Sequence, residues 1–299
     1  MANIILSINN LYKRYGKKTI IDNLNLEVEE GQIYGFLGPN GAGKTTTIKM
    51  IVGLIFQDSG SILINGVDTL KNHKEAMKYV GAIVENPDLY DYLTGYENIK
   101  LYARVRRVKN ERIKEVIKLV GLEGRIKDKV KKYSLGMKQR LGLAVSLLHK
   151  PKLLILDEPT NGLDPEGVKQ LRDFLKELAH KENVAVFVSS HMLSEMQLMC
   201  DKVAIVNKGK IVAVNDLASI KVSNNNLYEL KVSDLKKSYE IISKIAKCQI
   251  NKRSLLVEYS KNFSDILKIL MEEDIQIFGL NKKENTLEEQ FLNITGGAM

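Results

Sequence analysis

Short apolar runs recur along the first two thirds of the chain and predict the strands of an α/β sheet. The runs are four or five residues long, as expected for buried strands. They lie at residues 4–8, 24–28, 33–37, 61–64, 81–84, 153–156, 184–188, 203–206 and 211–214. The later runs alternate with helical patterns at 165–180 and 192–199, which favours a sheet with crossover helices.

Between about residues 92 and 150 the apolar spacing is helical throughout. Helices are predicted at 96–105, 111–120 and 135–149, with no strand pattern between them. A helical insert therefore interrupts the α/β pattern.

The last quarter of the chain has a different organisation. Residues 223–226 are small and polar and predict a linker. Strands are then predicted at 227–232, 249–251, 254–259 and 275–280, with helices at 234–247, 263–273 and 286–294. Without the last helix this is the β-α-β-β-α-β order of ferredoxin-like domains. We therefore predict a large α/β domain over 1–222, to which the nucleotide motifs below belong, and a small α+β domain over 227–299.

Charge is distributed unevenly along the chain. The net charge is +9, but residues 101–150 alone hold fifteen Lys and Arg residues against four Asp and Glu residues. A solvated helical face, a membrane surface or nucleic acid would each account for this excess. Aromatic residues that would stack on bases are not interleaved through the segment, which disfavours nucleic acid.

The two cysteines and the apolar runs narrow the class of protein further. Cys200 and Cys248 lack C-x-x-C spacing and a cluster of histidines, so neither a disulfide framework nor a zinc site is indicated. No apolar stretch approaches the roughly 20 residues that span a bilayer. We expect a cytoplasmic protein.

One glycine-rich loop joins the strand at 33–37 to a helical pattern at 45–54. It fits the phosphate-binding pattern G-x-x-x-x-G-K-[ST] without a mismatch and reads Gly38, Pro39, Asn40, Gly41, Ala42, Gly43, Lys44, Thr45, Thr46. Glycines let backbone N–H groups converge on phosphate oxygens at a helix N-terminus. Lys44 is expected to reach the β- and γ-phosphates of ATP, and the Thr45 hydroxyl to ligate Mg²⁺.

A second candidate element is the apolar strand at 153–156, which ends in Asp157 and Glu158. Beside the phosphate loop, Asp157 is expected to supply another Mg²⁺ contact, and Glu158 to orient or deprotonate an attacking water. An ordinary strand ending in acidic residues is the alternative for this pattern alone.

Three further segments carry a family resemblance. Residues 133–140, 157–165 and 189–191 resemble the signature, Walker B with D-loop, and switch-histidine segments of ATP-binding cassette (ABC) ATPases, in order and spacing. The match covers roughly residues 3–220. Residues 227–299, including 287–292, resemble the accessory domain of bacitracin- and lantibiotic-exporter-like members.

This resemblance implies a head-to-tail homodimer in which ATP lies between one phosphate loop and the partner's signature helix. Ser134 and Gly136 would then contact the γ-phosphate; alone, their segment would be a helix cap. His191 resembles the histidine that contacts the γ-phosphate, with a capping or core histidine as the alternative. Tyr15 matches the aromatic residue stacked on adenine, with a surface tyrosine as the alternative.

Two departures from the family pattern concern the site. Leu135 and Met137 stand where the signature usually has Gly and Gln, which places side chains where backbone approaches phosphate. Glu85 occupies the position of a usual glutamine and is a candidate nucleotide and Mg²⁺ contact. An ionised carboxylate can ligate a metal but cannot donate a hydrogen bond.

The resulting hypothesis is an ATP-hydrolysing subunit that powers a membrane exporter. Its partners would be integral-membrane permease subunits, and it would lie on the inner face of the cell membrane. Peptide antibiotics, lipids and drugs are all open as cargo. The alternatives are a soluble ABC-type ATPase acting on ribosomes or nucleic acid, and a P-loop kinase. The single cassette and the lack of long coiled-coil heptads disfavour the first alternative, and the signature segment and His191 disfavour the kinase.

Overall fold

The structure is a computed structural model that describes residues 3–217, 227–251, 253–259 and 263–283. The chain divides into two compact units, Met1–Leu217 and Ala218–Met299. The predicted linker at 223–226 and the predicted last helix at 286–294 lie outside the described residues. The functional assignment of the two units stays a prediction.

The first unit contains an antiparallel sheet in the order β2-β1-β4-β5. Its strands are β1 (Ile4–Tyr15), β2 (Lys18–Glu29), β4 (Ser59–Ile64) and β5 (Val67–Asp68). β1 and β2 run well beyond the predicted segments. Register shifts interrupt their pairing between Ile8 and Leu11 and between Leu11 and Lys13. Such β-bulges break the period-two alternation from which strands are recognised, so the sequence pattern underestimated both strands.

A six-stranded sheet forms the centre of the first unit. Its order is β10-β9-β3-β8-β7-β6, parallel except for the antiparallel pair of β9 and β10. The strands are β3 (Ile33–Leu37), β6 (Val80–Ile83), β7 (Leu153–Asp157), β8 (Ala185–Ser190), β9 (Lys202–Asn207) and β10 (Lys210–Asp216). The predicted mixed α/β sheet is confirmed.

Helices surround this sheet and form the predicted insert. They are α1 (Lys44–Ile51), α2 (His73–Ala76), α3 (Gly95–Val105), α4 (Asn110–Leu119), α5 (Leu135–Leu147), α6 (Pro165–Glu182) and α7 (Leu193–Met199). Short 3₁₀ turns occupy Met77–Tyr79 and Val130–Lys132. α3 begins at a capping box in which Thr94 and Glu97 satisfy each other's backbone N–H groups.

One buried core joins the antiparallel sheet, α1 and the central strands. It includes Ile5, Ile48, Phe36 and Phe187, none of which is exposed. The Phe36 and Phe187 ring centroids lie 5.3 Å apart, so the neighbouring strands β3 and β8 interlock inside the core. This packing fixes the loop that follows β3 with respect to the loop that follows β8.

The second unit has the strand order β12-β13-β11-β14, antiparallel throughout. Its elements are β11 (Leu227–Val232), α8 (Leu235–Ile242), β12 (Lys247–Asn251), β13 (Ser254–Glu258), α9 (Ser264–Glu272) and β14 (Ile277–Lys283). The element order is the predicted ferredoxin-like one. α8 is shorter than predicted: it ends at Ile242, and residue 247 already belongs to β12.

In the part of the chain that the structure describes, no helix combines the length and apolarity needed to cross a bilayer.

Candidate functional site

The candidate site lies where the carboxyl ends of β3, β7 and β8 meet. Leu37 pairs with Ser190, and Asp157 pairs with Ser189, so these three strands end at nearly the same level. Loops that follow adjacent parallel strands share one edge of the sheet. The phosphate loop, the acidic pair at 157–158 and His191 therefore converge, although they are far apart in sequence.

The geometry of the phosphate loop depends on its glycines. Gly43 caps α1 with φ 104°, and Gly41 has φ 78°, both in the left-handed region that favours glycine. A Cβ atom on Gly38 would lie 2.4 Å from the Val206 carbonyl oxygen, too close to be accommodated. A Cβ on Gly41 would meet nothing within 4 Å, so this side of the loop is open.

Lys44 is 6% exposed and folds back over its own loop. Its Nζ donates to the Gly38 carbonyl oxygen at 2.7 Å and to the Pro39 carbonyl oxygen at 3.3 Å. The same Nζ lies 3.1 Å from Glu158 Oε1. All three partners are oxygen atoms, the same kind of acceptor that phosphate groups would offer to this ammonium group.

Asp157 is 2% exposed and is fixed by Ser189. Ser189 Oγ donates to Asp157 Oδ1 at 2.6 Å and accepts a hydrogen bond from the Glu158 N–H at 3.0 Å. The sequence analysis includes Ser189 in the segment 189–191 but predicts no role for its side chain. A buried hydroxyl at the end of an otherwise apolar strand was the available signal.

Glu158 connects Lys44 with His191. His191 Nδ1 lies 2.8 Å from Glu158 Oε2, while Glu158 Oε1 contacts Lys44. Glu158 adopts φ 49°, a left-handed conformation that costs a non-glycine residue about 1–3 kcal/mol. The Glu158 side chain is 17% exposed and that of His191 is 41% exposed, so the contact series runs from the interior to the surface.

Glu85 follows β6 and forms an ion pair with Lys49, a residue to which the sequence analysis gave no role. Glu85 Oε1 lies 2.7 Å from Lys49 Nζ, on the last turn of α1. The hydrogen bond that Lys49 donates to Glu85 raises the pKa of Lys49, and the Asp157 carboxylate adds a smaller contribution in the same direction. The helical spacing of Lys49 from Thr45 was visible in the sequence, but its partner was not.

Tyr15 lies at the end of β1, beside the tight turn at Gly16, and is 51% exposed. The Lys13 Nζ atom lies 5.3 Å from the centroid of its ring. An exposed ring with one cation near it can stack against a further planar group.

Ser134 and Gly136 occupy a separate cavity of about 780 Å³, which α4, α5 and α6 line. Ser134 caps α5 by accepting a hydrogen bond from the Met137 N–H at 3.3 Å. Leu135 is 42% exposed, and its Cδ2 atom lies 2.7 Å from where a Cβ on Gly162 would be. None of residues 38–46 is among those that line this cavity.

Comparison with known proteins identifies the family. The family model described as "ABC transporter" matches residues 21–161. The chain is 45% identical to the uncharacterized ABC transporter ATP-binding protein YhcH of Bacillus subtilis, covering 98% of this chain and 96% of the relative. The chain belongs to the ABC transporter ATP-binding proteins. The predicted transport-coupled ATPase is thereby confirmed, in preference to a ribosome-acting protein.

Two further matches refine this ABC assignment. The chain is 41% identical to the bacitracin transport ATP-binding protein BcrA of Bacillus licheniformis, covering 98% of both chains. The dimeric structure of MJ0796, described as a bacterial ABC transporter cassette, matches with a TM-score of 0.64 at 24% identity. That match covers 71% of this chain and 99% of MJ0796, and it supports the fold. As an ABC ATP-binding subunit, the chain binds ATP and works with membrane permease subunits.

Proposed function

We propose that the chain binds ATP with Mg²⁺ at the phosphate loop and hydrolyses it as a head-to-tail homodimer, powering export of an amphiphilic cargo. The observation that carries this proposal is the contact series from Lys44 through Glu158 to His191. In this series a buried cation, a carboxylate and an imidazole lie beside an open glycine loop, which supports the proposal.

The phosphate loop fits a nucleotide. Its open side at Gly41 and the free N–H groups at the start of α1 form a cradle for anionic oxygens. Lys44 would exchange its present oxygen partners for the β- and γ-phosphates. Tyr15 would stack on adenine, while the remaining loop residues from Pro39 to Thr46 would line the phosphates.

Thr45 and Asp157 are the residues that would hold Mg²⁺. When bound, Mg²⁺ neutralises phosphate charge, and it needs only one or two protein ligands in addition to phosphates and waters. Asp157 is suited to this because the hydrogen bond from Ser189 orients its carboxylate. Glu85 remains a proposed neighbour of the metal, with its charge balanced by Lys49.

Glu158 is the proposed base. Its Oε1 atom lies 3.1 Å from Lys44 Nζ. Once Lys44 turns to the phosphates, Oε1 is free to accept a proton from the attacking water, while His191 still holds Oε2.

The proposed homodimer follows from the separation of two half-sites. Ser134 and Gly136 lie in a cavity that the phosphate loop does not line, so they would serve the ATP of a second copy. The dimeric MJ0796 cassette has the same fold. The similarity to BcrA favours a peptide-antibiotic-like cargo and a place on the cytoplasmic face of the membrane, beside the permease.

The test is Glu158→Gln, which keeps the shape of the side chain but removes the base. ATP binding is expected to remain, hydrolysis to fall at least about 100-fold, and an ATP-bound dimer to accumulate in sizing chromatography. Glu75→Gln is the matched control, because Glu75 pairs with Lys78 on the surface. Hydrolysis at the wild-type rate would refute the base assignment, and a mutant that stays monomeric with ATP would refute the shared site.

A further inference from the structure

A second connection joins the two loops that carry Glu158 and His191. Thr160, two residues after Glu158, is 5% exposed, and its Oγ1 atom donates to Glu195 Oε2 at 2.6 Å. Glu195 lies in the first turn of α7, the helix that follows His191. The loop after β7 is thus bonded to α7 at a point away from the Glu158–His191 contact.

Glu195 also reaches the residue before His191. Ser190 Oγ lies 3.5 Å from Glu195 Oε2 and accepts a hydrogen bond from the Met192 N–H at 3.0 Å. Ser190 is 1% exposed, and its carbonyl oxygen accepts the Gly38 N–H at 3.2 Å. Glu195 therefore touches a residue that is tied to the phosphate loop as well as to the switch histidine.

These contacts close a ring. Along the first loop, Glu158 and Thr160 are separated by one residue; along the second, His191 and Glu195 are separated by three. Contact between Glu158 and His191 closes one side of the ring, and contact between Thr160 and Glu195 closes the other. Two separate contacts restrict rotation between the loops, which one contact alone would permit.

The restriction matters because the His191 imidazole is the more exposed member of the Glu158–His191 pair. The His191 side chain is 41% exposed, and its Nδ1 atom contacts Glu158. A displacement of about 1 Å in a catalytic group can cost about 100-fold in rate. The part-buried Thr160–Glu195 bond joins the same two loops and can hold them in register.

We propose that Glu195 and Thr160 are positioning residues, which hold His191 and Glu158 in the orientation required for hydrolysis. This inference rests on the proposed function, in which Glu158 is the base. The competing explanation is structural: Glu195 would only complement the N-terminus of α7, and Thr160 would only be a buried hydroxyl with a partner.

The test separates these explanations through steady-state ATP hydrolysis by the full chain. Thr160→Val removes the hydroxyl at nearly constant volume, and Thr160→Ser keeps it. Thr160→Val is expected to lower kcat about 10-fold or more, with KM and ATP affinity within about 2-fold of wild type. Thr160→Ser is expected to restore kcat. Thr69→Val is the matched control, because Thr69 is similarly buried, at 4% exposed, and lies outside the site.

Variants at the other end of the bond provide a second measurement, which stands even if Thr160→Val fails to fold. Glu195→Gln keeps an acceptor oxygen and should retain most of the wild-type kcat, whereas Glu195→Leu should lose as much as Thr160→Val. The double variant with Thr160→Val and Glu195→Leu should have a kcat no lower than that of Glu195→Leu alone, because each substitution removes the same hydrogen bond.

Three results would overturn the inference: a wild-type kcat for Thr160→Val, an equal loss for Thr160→Ser, or a loss confined to KM. Glu158→Gln distinguishes this failure from failure of the proposed site. If Glu158→Gln is inactive while Thr160→Val is normal, only the positioning role is refuted. If Glu158→Gln hydrolyses ATP normally, the site assignment itself is refuted.

Discussion

Glu85 and Lys49 form an ion pair, with 2.7 Å between Glu85 Oε1 and Lys49 Nζ. Glu85 adopts a left-handed φ of 64°, and its side chain is 62% exposed, so the pair lies at the surface beside α1. Lys49 is on the same helix as Thr45, the proposed metal ligand. A change in either charge should therefore be felt at the metal without rebuilding the site.

Removing one charge at a time should shift the Mg²⁺ dependence of ATP hydrolysis in opposite directions. Glu85→Gln leaves an extra positive charge near the metal and should raise the Mg²⁺ concentration for half-maximal rate by about 2- to 5-fold. Lys49→Gln should lower it, and the double variant should return towards wild type. The shifts should shrink in high salt, because both groups are exposed.

The measurement is a Mg²⁺ titration of ATPase rate for the four proteins, with thermal stability as the control for folding. Superimposable titration curves would remove Glu85 from the neighbourhood of the metal. The remaining hypothesis for Glu85 would then be a role in coupling to the permease.

Lys44→Ala should abolish ATP binding or turnover, with a loss of at least about 100-fold, because it removes the cation aimed at the phosphates. Lys152→Ala is a matched control: Lys152 is half-buried and donates to Asn65 Oδ1 instead. Nucleotide affinity and ATPase rate are measured together with the melting temperature, since the variant also leaves Glu158 without its cation. A folded Lys44→Ala protein with normal affinity and rate would contradict the site assignment.

A chain that ends at Val222 should still bind ATP. The first compact unit ends at Leu217, which is buried and whose N–H donates to the Asp201 carbonyl oxygen at 2.8 Å. Every proposed site residue precedes this point. ATP affinity is measured by titration and folding by circular dichroism. A folded truncation that no longer binds nucleotide would mean that the second unit completes the site.

His149 should make the stability of the protein depend on pH. Its Nε2 atom lies 2.9 Å from the Val80 carbonyl oxygen, and its Nδ1 atom is buried with no hydrogen-bond partner among the described residues. Burial, together with the smaller effect of the positive charges of Arg106 and Arg112, lowers the pKa of His149 to about 4. The folded protein therefore keeps this imidazole neutral.

The sign of the effect follows from linkage. In the unfolded chain the histidine binds a proton near its ordinary pKa of about 6.5, and in the folded protein it does so only near 4. The unfolded state therefore gains protons first as the pH falls, so stability is lost from about pH 6.5 downwards. At pH 5 this loss should be about 2 kcal/mol relative to neutral pH.

His149→Gln isolates this contribution, because an amide can donate to the Val80 carbonyl oxygen but does not titrate. Urea unfolding at pH 7.5 and pH 5 is expected to show a larger fall for the wild type than for the variant. Equal falls for the two proteins would show that His149 is not held neutral by the fold.

The sequence by itself determined the local structure around the site and the family. The strand before the phosphate loop coincides with β3, and the loop, the acidic pair and His191 each follow an apolar strand as predicted. These features are local: a buried strand requires a short apolar run, and a phosphate loop requires glycines at fixed spacing. In β1, local patterning failed because bulges change the alternation of side chains.

The tertiary structure alone decided which side chains meet. Thr160 and Glu195 are 35 residues apart in sequence, Lys49 and Glu85 are 36 apart, and neither pairing follows from any repeat or motif. They are made because β3, β8, β7 and β6 lie side by side, which brings their carboxyl ends to one edge. The order of strands in a sheet is set by the packing of the whole core. Which polar side chains then come into contact depends on the distance between them and on their orientation.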